Sequence, residues 1–260
     1  MEYERIELER DGVVARVWLN RPEVRNALDG GTVAELRSLL FELGSDDTVR
    51  VIVLGGRGKA FCAGADLNWM KAMASFDRDD NLREAQSLAD LFFTVYDSPK
   101  PVVARVHGAA LGGGSGLVAA CDIAIAAEGT SFGFTEVRLG LIPSVISPYV
   151  FPRIGESAAR ELFLTGERID AGTAREIGLV RAAVPLAELD AAVEERVGRL
   201  LKAGPRAIAE VKELIEEIAF RRVEDVQRYT VERIAELRTS PEGQEGMRAF
   251  LEKRKPEWSP

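Results

Sequence analysis

The spacing of hydrophobic positions changes from one segment of the chain to the next, and these changes predict alternating strands and helices. Residues 6–22, IELERDGVVARVWLNRP, alternate apolar and polar side chains around an Asp-Gly pair, which predicts a β-hairpin that ends at Pro22. Val- and Ile-rich runs of strand length follow at 49–56, 101–111 and 121–128. Residues 29–46 and 81–98 have apolar side chains near helical spacing, with Asp and Ser at their ends as candidate caps. This alternation is typical of an α/β fold.

The pattern changes after about residue 196, where the remaining sequence favours helix almost without interruption. Pro205 is expected to begin one of these helices, and TSPEG at 239–243 is expected to separate two others. We therefore predict an α/β body over residues 1–195 and a C-terminal helical region over residues 196–260. The stretch MKAMASFDRDDN, residues 70–81, is predicted to be a mobile loop.

Composition and charge exclude several classes of protein. The chain has 260 residues, of which 46% are hydrophobic and 29% charged, so a disordered chain is excluded. A net charge of −8 argues against nucleic-acid binding. The N-terminus, MEYERIELERDG, lacks the apolar stretch of a secretion signal, and no apolar run approaches the length of a membrane span. We expect a cytoplasmic protein that binds neither nucleic acid nor membrane.

Few residues are suited to metal binding or to disulfide formation. Cys62 and Cys121 are the two cysteines, His107 is the single histidine, and their spacing matches no zinc motif. We expect no metal site, two buried reduced thiols and a structural histidine.

Three consecutive glycines, 112–114, stand where a predicted strand gives way to a predicted helix. Glycine at such a turn serves either tight packing or the close approach of a ligand to the backbone. The first amides of a helix lack internal acceptors and lie at the positive end of its dipole, so they can bind an anion. A second corner of small residues, Ala-Gly-Ala-Asp at 63–66, precedes another helix-like segment. Two such corners can each donate one amide to an oxyanion.

Five segments, in order along the chain, carry a resemblance to a known family: NRPEVRNAL (20–28), GKAFCAGADL (58–67), VHGAALGGGSGLVAACDIAIA (106–126), FGFTEVRLGLIP (132–143) and LTGERIDAGTAREIGLV (164–180). They cover nearly the whole sequence, which resembles the enoyl-CoA hydratase/isomerase (crotonase) family. The resemblance implies a crotonase-like spiral of ββα turns, a C-terminal helical region that closes the site, and a homotrimer or homohexamer. It implies an acyl-CoA thioester as substrate and no separate cofactor.

The resemblance also assigns catalytic residues. By motif position, the backbone amides of Ala65 and Gly113 hold the thioester oxygen, where each donor stabilises the enolate-like transition state by about 3 kcal/mol. Family hydratases commonly use two glutamates, of which the second is present as Glu136 and the first is replaced by Gly116. This departure puts the two-glutamate mechanism in doubt. A single carboxyl can still take a proton from water and return it to the substrate, with a rate effect of about 10²–10⁴.

A second departure concerns the acyl group. Straight-chain hydratases of the family usually have a Gly-rich segment after Ile-Pro, whereas this chain has IPSVISPYVF at 142–151. The sequence there looks more like bacterial hydratases that act on 3-methylglutaconyl-CoA or isohexenylglutaconyl-CoA, which carry a distal carboxylate. Arg138 would share a face with Glu136 if the segment is extended, and could then meet that carboxylate. A solvent-facing arginine is the alternative.

The coenzyme A part of the substrate requires cations from an acidic protein. Arg25 lies near a segment that contacts coenzyme A in the family, and Ala63, Asp66 and Leu67 match the place where the family binds adenine. Phe250 and Lys253 have the family's Phe-x-x-Lys spacing, which implies an apolar contact and a cation, often given to a neighbouring subunit. A basic surface tail is the alternative for this pair.

The sequence thus favours an enoyl-CoA hydratase, a lyase of fatty-acid or branched-chain amino-acid degradation. A Δ3,Δ2-enoyl-CoA isomerase is the alternative enzyme, since it also needs one base beside the same two amides. A non-catalytic acyl-CoA-binding protein is the alternative from another class. Fold likeness alone does not choose among these reactions.

Overall fold

Two β-sheets organise the computed structural model, which describes residues 3–259. The six-stranded sheet has the order β1-β2-β3-β4-β6-β9, in which β1 and β2 are antiparallel and each later pair is parallel. The three-stranded sheet has the order β5-β7-β8. In chain order the strands are β1 (Ile6–Asp11), β2 (Val14–Leu19), β3 (Val51–Gly56), β4 (Val102–Val106), β5 (Ala109–Leu111), β6 (Ile123–Ala127), β7 (Ser131–Gly133), β8 (Arg168–Asp170) and β9 (Ala182–Val184). The predicted hairpin is confirmed as β1 and β2, and the run at 101–111 forms two strands in different sheets.

The helices cover the faces of the sheets and make up the C-terminal region. They are α1 (Gly30–Ser45), α2 (Leu67–Met73), α3 (Arg78–Tyr96), α4 (Gly113–Ala120), α5 (Ser147–Thr165), α6 (Ala171–Glu176), α7 (Leu189–Leu200), α8 (Pro205–Ile218), α9 (Val223–Thr239) and α10 (Pro241–Leu251). Pro205 begins α8, and the break between α9 and α10 falls within residues 239–243, as the sequence predicts. The Ser240 side chain caps α10. Within the described residues, no helix combines the length and the apolar character that crossing a membrane requires.

The central parallel strands β3, β4 and β6 are buried on both faces, which explains why they read as continuous hydrophobic runs. Along β3, Ile52 and Leu54 face the larger core, while Val51 and Val53 face a second cluster. That second cluster is completed by three side chains of α7 at helical spacing: Leu189, Val193 and Val197. The predicted boundary after residue 195 therefore falls inside a helix that packs on the six-stranded sheet.

The stretch at 70–81, predicted to be a mobile loop, is largely helical. The Asp66 side chain accepts hydrogen bonds from the first amides of α2, and the Asp77 side chain accepts one from the Asp80 amide at the start of α3. These two caps leave only residues 74–77 between the helices. The prediction was wrong because it did not recognise Asp77 as a helix cap.

Both cysteines lie in the core, as predicted. Cys62 and Cys121 are free and buried, and burial raises the pKa of each thiol to about 12. Both are therefore inert packing residues near neutral pH. Within residues 3–259, no group of three or more His, Cys, Asp or Glu side chains is placed to hold a metal ion.

The carbonyl end of α4 is held by a half-buried arginine of α5. The Arg153 guanidinium donates to the carbonyl oxygen of Ala119 at 2.7 Å, to that of Cys121, and to that of Asp122 at 3.3 Å. Carbonyls at a helix C-terminus lack internal partners, and a cation there also complements the helix dipole. Arg153 thus fixes the end of α4 opposite the glycine corner.

Replacing Arg153 tests this anchor. We expect Arg153→Met to lower the free energy of unfolding by about 2–4 kcal/mol, because buried carbonyls lose their donor. Arg160→Met is the matched control: Arg160 lies on the same helix in an exposed ion pair with Glu156, so its loss should cost less than about 0.5 kcal/mol. Urea unfolding measures both. Equal effects would contradict the assignment.

Candidate active site

The two corners of small residues are in direct backbone contact. The Cys62 amide donates to the Ala109 carbonyl at 3.0 Å, and the Leu111 amide donates to the Cys62 carbonyl at 3.0 Å. A Cβ atom on Gly64 would lie 3.1 Å from the Leu111 carbonyl oxygen, and one on Gly114 would lie 2.3 Å from the Cys62 carbonyl oxygen. The corners can meet this closely because both positions lack a side chain.

Each corner presents one backbone amide without an acceptor among residues 3–259. The Leu28 amide donates to the Gly64 carbonyl at 2.7 Å, and the Asp66 amide donates to the Leu28 carbonyl at 2.8 Å, so the intervening amide of exposed Ala65 points away from Leu28. Gly113 is the first residue of α4, where no preceding turn supplies an acceptor. These are the two amides that the sequence resemblance selects.

Gly112 brings a carboxyl group to the same corner. Its backbone angles, φ 49° and ψ −118°, lie in a region that only glycine adopts without strain, and its amide donates to the Gly133 carbonyl at 2.9 Å. That bond ties the start of α4 to the end of β7, three residues before Glu136. A Cβ atom on Gly112 would lie 3.2 Å from Glu136 Oε1. Glu136 therefore lies beside Gly112, the residue that precedes Gly113.

Glu136 has the environment of a proton-transfer group. Its Oε2 atom is buried and has no hydrogen-bond partner within the described chain. Burial raises the pKa of Glu136 above its ordinary value, while its own backbone amide opposes this shift. A raised pKa favours the protonated form of the carboxyl group, and the free oxygen leaves it able to accept or donate a proton.

Ser115 supports the corner and is no nucleophile. Its side chain is fully buried, its Oγ donates to the Ala110 carbonyl at 2.6 Å, and the Gly133 amide lies 3.4 Å from the same oxygen. His107 cannot activate it, because the two ring nitrogens of His107 contact the Gly58 carbonyl and Arg105. Ser115 thus links α4 to β5 and β7, and His107 is structural, as predicted.

Gly116 faces two apolar side chains that sequence reasoning missed. A Cβ atom at Gly116 would lie 2.3 Å from Ile146 Cγ2 and 3.1 Å from Phe92 Cε1. The space that a first glutamate would need is therefore filled. The sequence shows only that a glutamate is absent at this position. It does not show which side chains fill the space, because these come from distant segments, α3 and the start of α5.

Arg138 does not share a face with Glu136. The segment Glu136–Leu139 is a 3₁₀ turn and is not extended, so residues two apart lie on different faces. Arg138 is exposed, its Nε donates to the Thr165 carbonyl at 3.4 Å, and its Cγ lies 3.1 Å from the Cβ position of Gly166. The expectation of a shared face was wrong, and the solvent-facing alternative describes this side chain.

Four residues assigned to coenzyme A binding lie together. The Ala63 amide donates to the Arg25 carbonyl at 3.0 Å, which places Arg25 beside the segment that contains Asp66 and Leu67. Arg25 is exposed with a left-handed backbone, and 73% of Leu67 is exposed. A ligand can reach both from solvent.

The side chain of Asp66 is part of the framework beneath this cluster. It accepts from the Asn68 amide at 2.8 Å and from Arg21 Nη2 at 3.0 Å, and Arg21 also pairs with Asp29 at 3.2 Å. Burial opposes ionisation of Asp66, but these hydrogen bonds outweigh it and hold its pKa below the usual range. Arg21 belongs to the NRP motif, yet the sequence did not reveal its two carboxylate partners.

Phe250 and Lys253 lie apart from the residues above. Phe250 is 82% exposed near the end of α10, and Lys253 is exposed just beyond it. The chain that follows is tied to Arg50 at the start of β3, through the Trp258 carbonyl. No recorded contact of the described residues joins Phe250 or Lys253 to Ala65, Gly113 or Glu136 of the same chain.

Comparisons with known proteins agree over almost the full length. A model of the enoyl-CoA hydratase/isomerase family matches residues 9–260. A solved enoyl-CoA hydratase of Shewanella pealeana is 40% identical, with a TM-score of 0.96 over 99% of this chain and 97% of that chain. The crotonyl-CoA hydratase of Syntrophomonas wolfei is 34% identical over 98% of both chains. The short-chain-enoyl-CoA hydratase of Clostridium acetobutylicum is 34% identical over 98% of this chain and 97% of its own.

The raised pKa of Glu136 has a consequence for stability. Burial disfavours the ionised form in the folded state, so this group destabilises the fold at pH values above its folded pKa. The penalty disappears as the pH falls below 4.5, the value for an unperturbed glutamate. We expect Glu136→Gln to raise the thermal unfolding midpoint at pH 8, and the gain to shrink towards pH 4.5.

Exposed Glu161 is the matched control, because its carboxyl group is not buried. Calorimetry of Glu161→Gln across the same pH range should show no comparable gain. A gain for Glu136→Gln that is independent of pH would contradict the burial of an ionised carboxyl group.

Proposed function

Because this chain belongs to the enoyl-CoA hydratase/isomerase family, and has its crotonase-like fold with a C-terminal helical region, we propose that it is an enoyl-CoA hydratase with one acid–base residue, Glu136. The observation that carries the proposal is the placement of the Glu136 carboxyl group beside the glycine corner, with one buried oxygen that has no partner within the described chain. The hydratase names of full-length relatives support the reaction class.

In the proposed mechanism, the amides of Ala65 and Gly113 bind the thioester oxygen of the substrate. Water adds to C3 while Glu136 takes a proton from it, and the electrons of the double bond move onto the thioester oxygen as an enolate. Two amides at this position stabilise the negative charge, and the dipole of α4 adds to the effect. Glu136 then delivers its proton to C2 on the same face, so one water molecule is added and the carboxylate is regenerated.

For the acyl group, we propose a branched enoyl-CoA similar to 3-methylglutaconyl-CoA. The support is the sequence IPSVISPYVF, residues 142–151, which stands where straight-chain hydratases have a Gly-rich segment. The same stretch supplies Ile146, which faces Gly116. Arg138 gives this substrate no support, since its side chain lies against Gly166.

The apolar surroundings of Gly116 also favour a second candidate function, a Δ3,Δ2-enoyl-CoA isomerase. An isomerase needs one base to move a proton between C4 and C2 and needs no second group to hold water. Its oxyanion amides would be the same two. A protein that binds acyl-CoA without turnover is the non-catalytic alternative.

We also propose a cytoplasmic homotrimer or homohexamer in which Phe250 and Lys253 complete the coenzyme A site of a neighbouring subunit. Phe250 and Leu251 are about four-fifths exposed at the end of α10, with values of 82% and 79%. Adjacent large apolar side chains with this exposure are typical of surfaces that associate.

Absorbance of the conjugated thioester tests the reaction with 3-methylglutaconyl-CoA and, in parallel, crotonyl-CoA. We expect rapid loss with the branched substrate and a decrease of about 10²–10⁴ in kcat for Glu136→Gln, because the proton relay is removed. Glu161→Gln should keep wild-type activity.

Loss with crotonyl-CoA alone would retain the hydratase and discard the branched substrate. Loss with neither, together with conversion of a 3-enoyl-CoA to a conjugated thioester, would identify the isomerase. Binding without any turnover, unchanged in Glu136→Gln, would leave the non-catalytic protein.

Lys253→Ala tests the contribution of the tail to coenzyme A binding. We expect KM for the CoA thioester to rise by about tenfold, with little change in kcat, because a phosphate contact made equally in ground and transition states is lost. The corresponding pantetheine thioester, which lacks the nucleotide phosphates, should show no such change. Lys202→Ala, at an exposed lysine elsewhere, is the control. An equal rise in KM with both thioesters would contradict the phosphate contact.

A further inference from the structure

Glu136 and Ile146 each lie against a glycine at the start of α4. The Gly116 amide donates to the Gly112 carbonyl at 3.0 Å, so the two glycines are one helical turn apart. The Gly112 position faces Glu136 Oε1 at 3.2 Å, and the Gly116 position faces Ile146 Cγ2 at 2.3 Å. The carboxyl group and the Ile146 side chain therefore lie against positions one helical turn apart at the start of α4.

Ile146 is held firmly in that place. Only 3% of the residue is exposed, and its carbonyl accepts from the Tyr149 and Val150 amides at 3.1 Å each, as α5 begins. Phe92 closes the space beside it, since its ring lies 3.1 Å from the Gly116 Cβ position and 6.0 Å from the ring of Tyr149. Ile146 and Phe92 together form an apolar wall over Gly116.

Among the described residues, no charged side chain pairs with Glu136. The ionisable groups on the surrounding elements bond elsewhere or point away: Arg138 of its own turn bonds the Thr165 carbonyl, Asp90 of α3 pairs with Arg37, and Arg168 of β8 lies along Gly133. Burial is accordingly the cause that raises the pKa of Glu136.

We propose that Ile146 is a positioning residue for Glu136. The Ile146 side chain fills the space over Gly116 and keeps water away from the Glu136 carboxyl group. This inference rests on the proposed role of Glu136 as the single acid–base group. One carboxyl group must hold a proton between its removal from water and its delivery to C2. A dry wall favours the protonated form during that interval, because water stabilises the carboxylate.

Removal of the Ile146 side chain beyond Cβ tests the proposal. In Ile146→Ala, water should enter beside Glu136, and the acidic limb of the profile of kcat/KM against pH should move to lower pH by about one unit. Ile146→Val retains branching at Cβ and should keep the wild-type limb. Ile154→Ala, at a buried isoleucine eight residues further along α5, is the matched control and should lose stability without a shift of the limb.

A titration that needs no turnover separates this inference from the proposed function. The carbonyl stretch of a protonated Glu136 carboxyl group can be followed by infrared difference spectroscopy, with Glu136→Gln to assign the band. We expect the band to disappear at lower pH in Ile146→Ala than in the wild type. If the wild-type protein turns over no enoyl-CoA, the proposed function is refuted, but the titration still tests the role of Ile146. An unshifted band, or an equal shift in Ile154→Ala, would overturn the proposal.

Thermal unfolding supplies a second measurement of the contact itself. Gly116→Ala should lower the unfolding midpoint, because its Cβ meets Ile146, and Ile146→Ala should lower it by leaving a cavity. The double variant should lose less than the sum of the two, since each change relieves the other. If the decrease in the double variant equalled the sum of the two single decreases, residues 116 and 146 would not share one space, and the proposed contact would be overturned.

Discussion

The contact between the Cys62 carbonyl and the backbone at Gly114 is the constraint on which the site depends. A single added carbon at Gly114 would come within 2.3 Å of that oxygen, so the two corners can be joined only where a side chain is absent. This contact sets the corner that contains Ala65 against the corner that contains Gly113. It also fixes α4, whose other end is held by Arg153. Rigid placement of both donors matters because preorganised dipoles need no rearrangement as charge develops.

Around this fixed point, the chain separates polar and apolar surroundings within a short distance. Ala65 is exposed, and its corner is joined to exposed Arg25 by the hydrogen bond from the Ala63 amide to the Arg25 carbonyl. The carboxyl group of Glu136 lies on the buried side, where Ile146 and Phe92 fill the neighbouring space.

Sequence reasoning succeeded where the signal is local in the chain. The hairpin around Asp-Gly, the Asp29 cap of α1 and the start of α8 at Pro205 are all set by neighbouring residues, and all are confirmed. The amide donors and Glu136 were selected through motif order; in the structure the two corners are in contact, and Glu136 lies beside Gly112. The role of each in catalysis stays a prediction. The loop expected at 70–81 failed because a single Asp side chain extends α3 towards α2.

The remaining features depend on contacts between distant segments, which spacing does not encode. Ile146 lies thirty positions after Gly116, and Arg21 meets Asp66 across forty-five positions. Arg138 was misjudged because the conformation of its segment depends on packing against Gly166. The fit of Ile146 over Gly116 also limits how such a site can evolve. A glutamate cannot arise at 116 while the isoleucine remains, so a lineage that acquires a second carboxylate must first make space at 146, and the order of the two substitutions is set by volume.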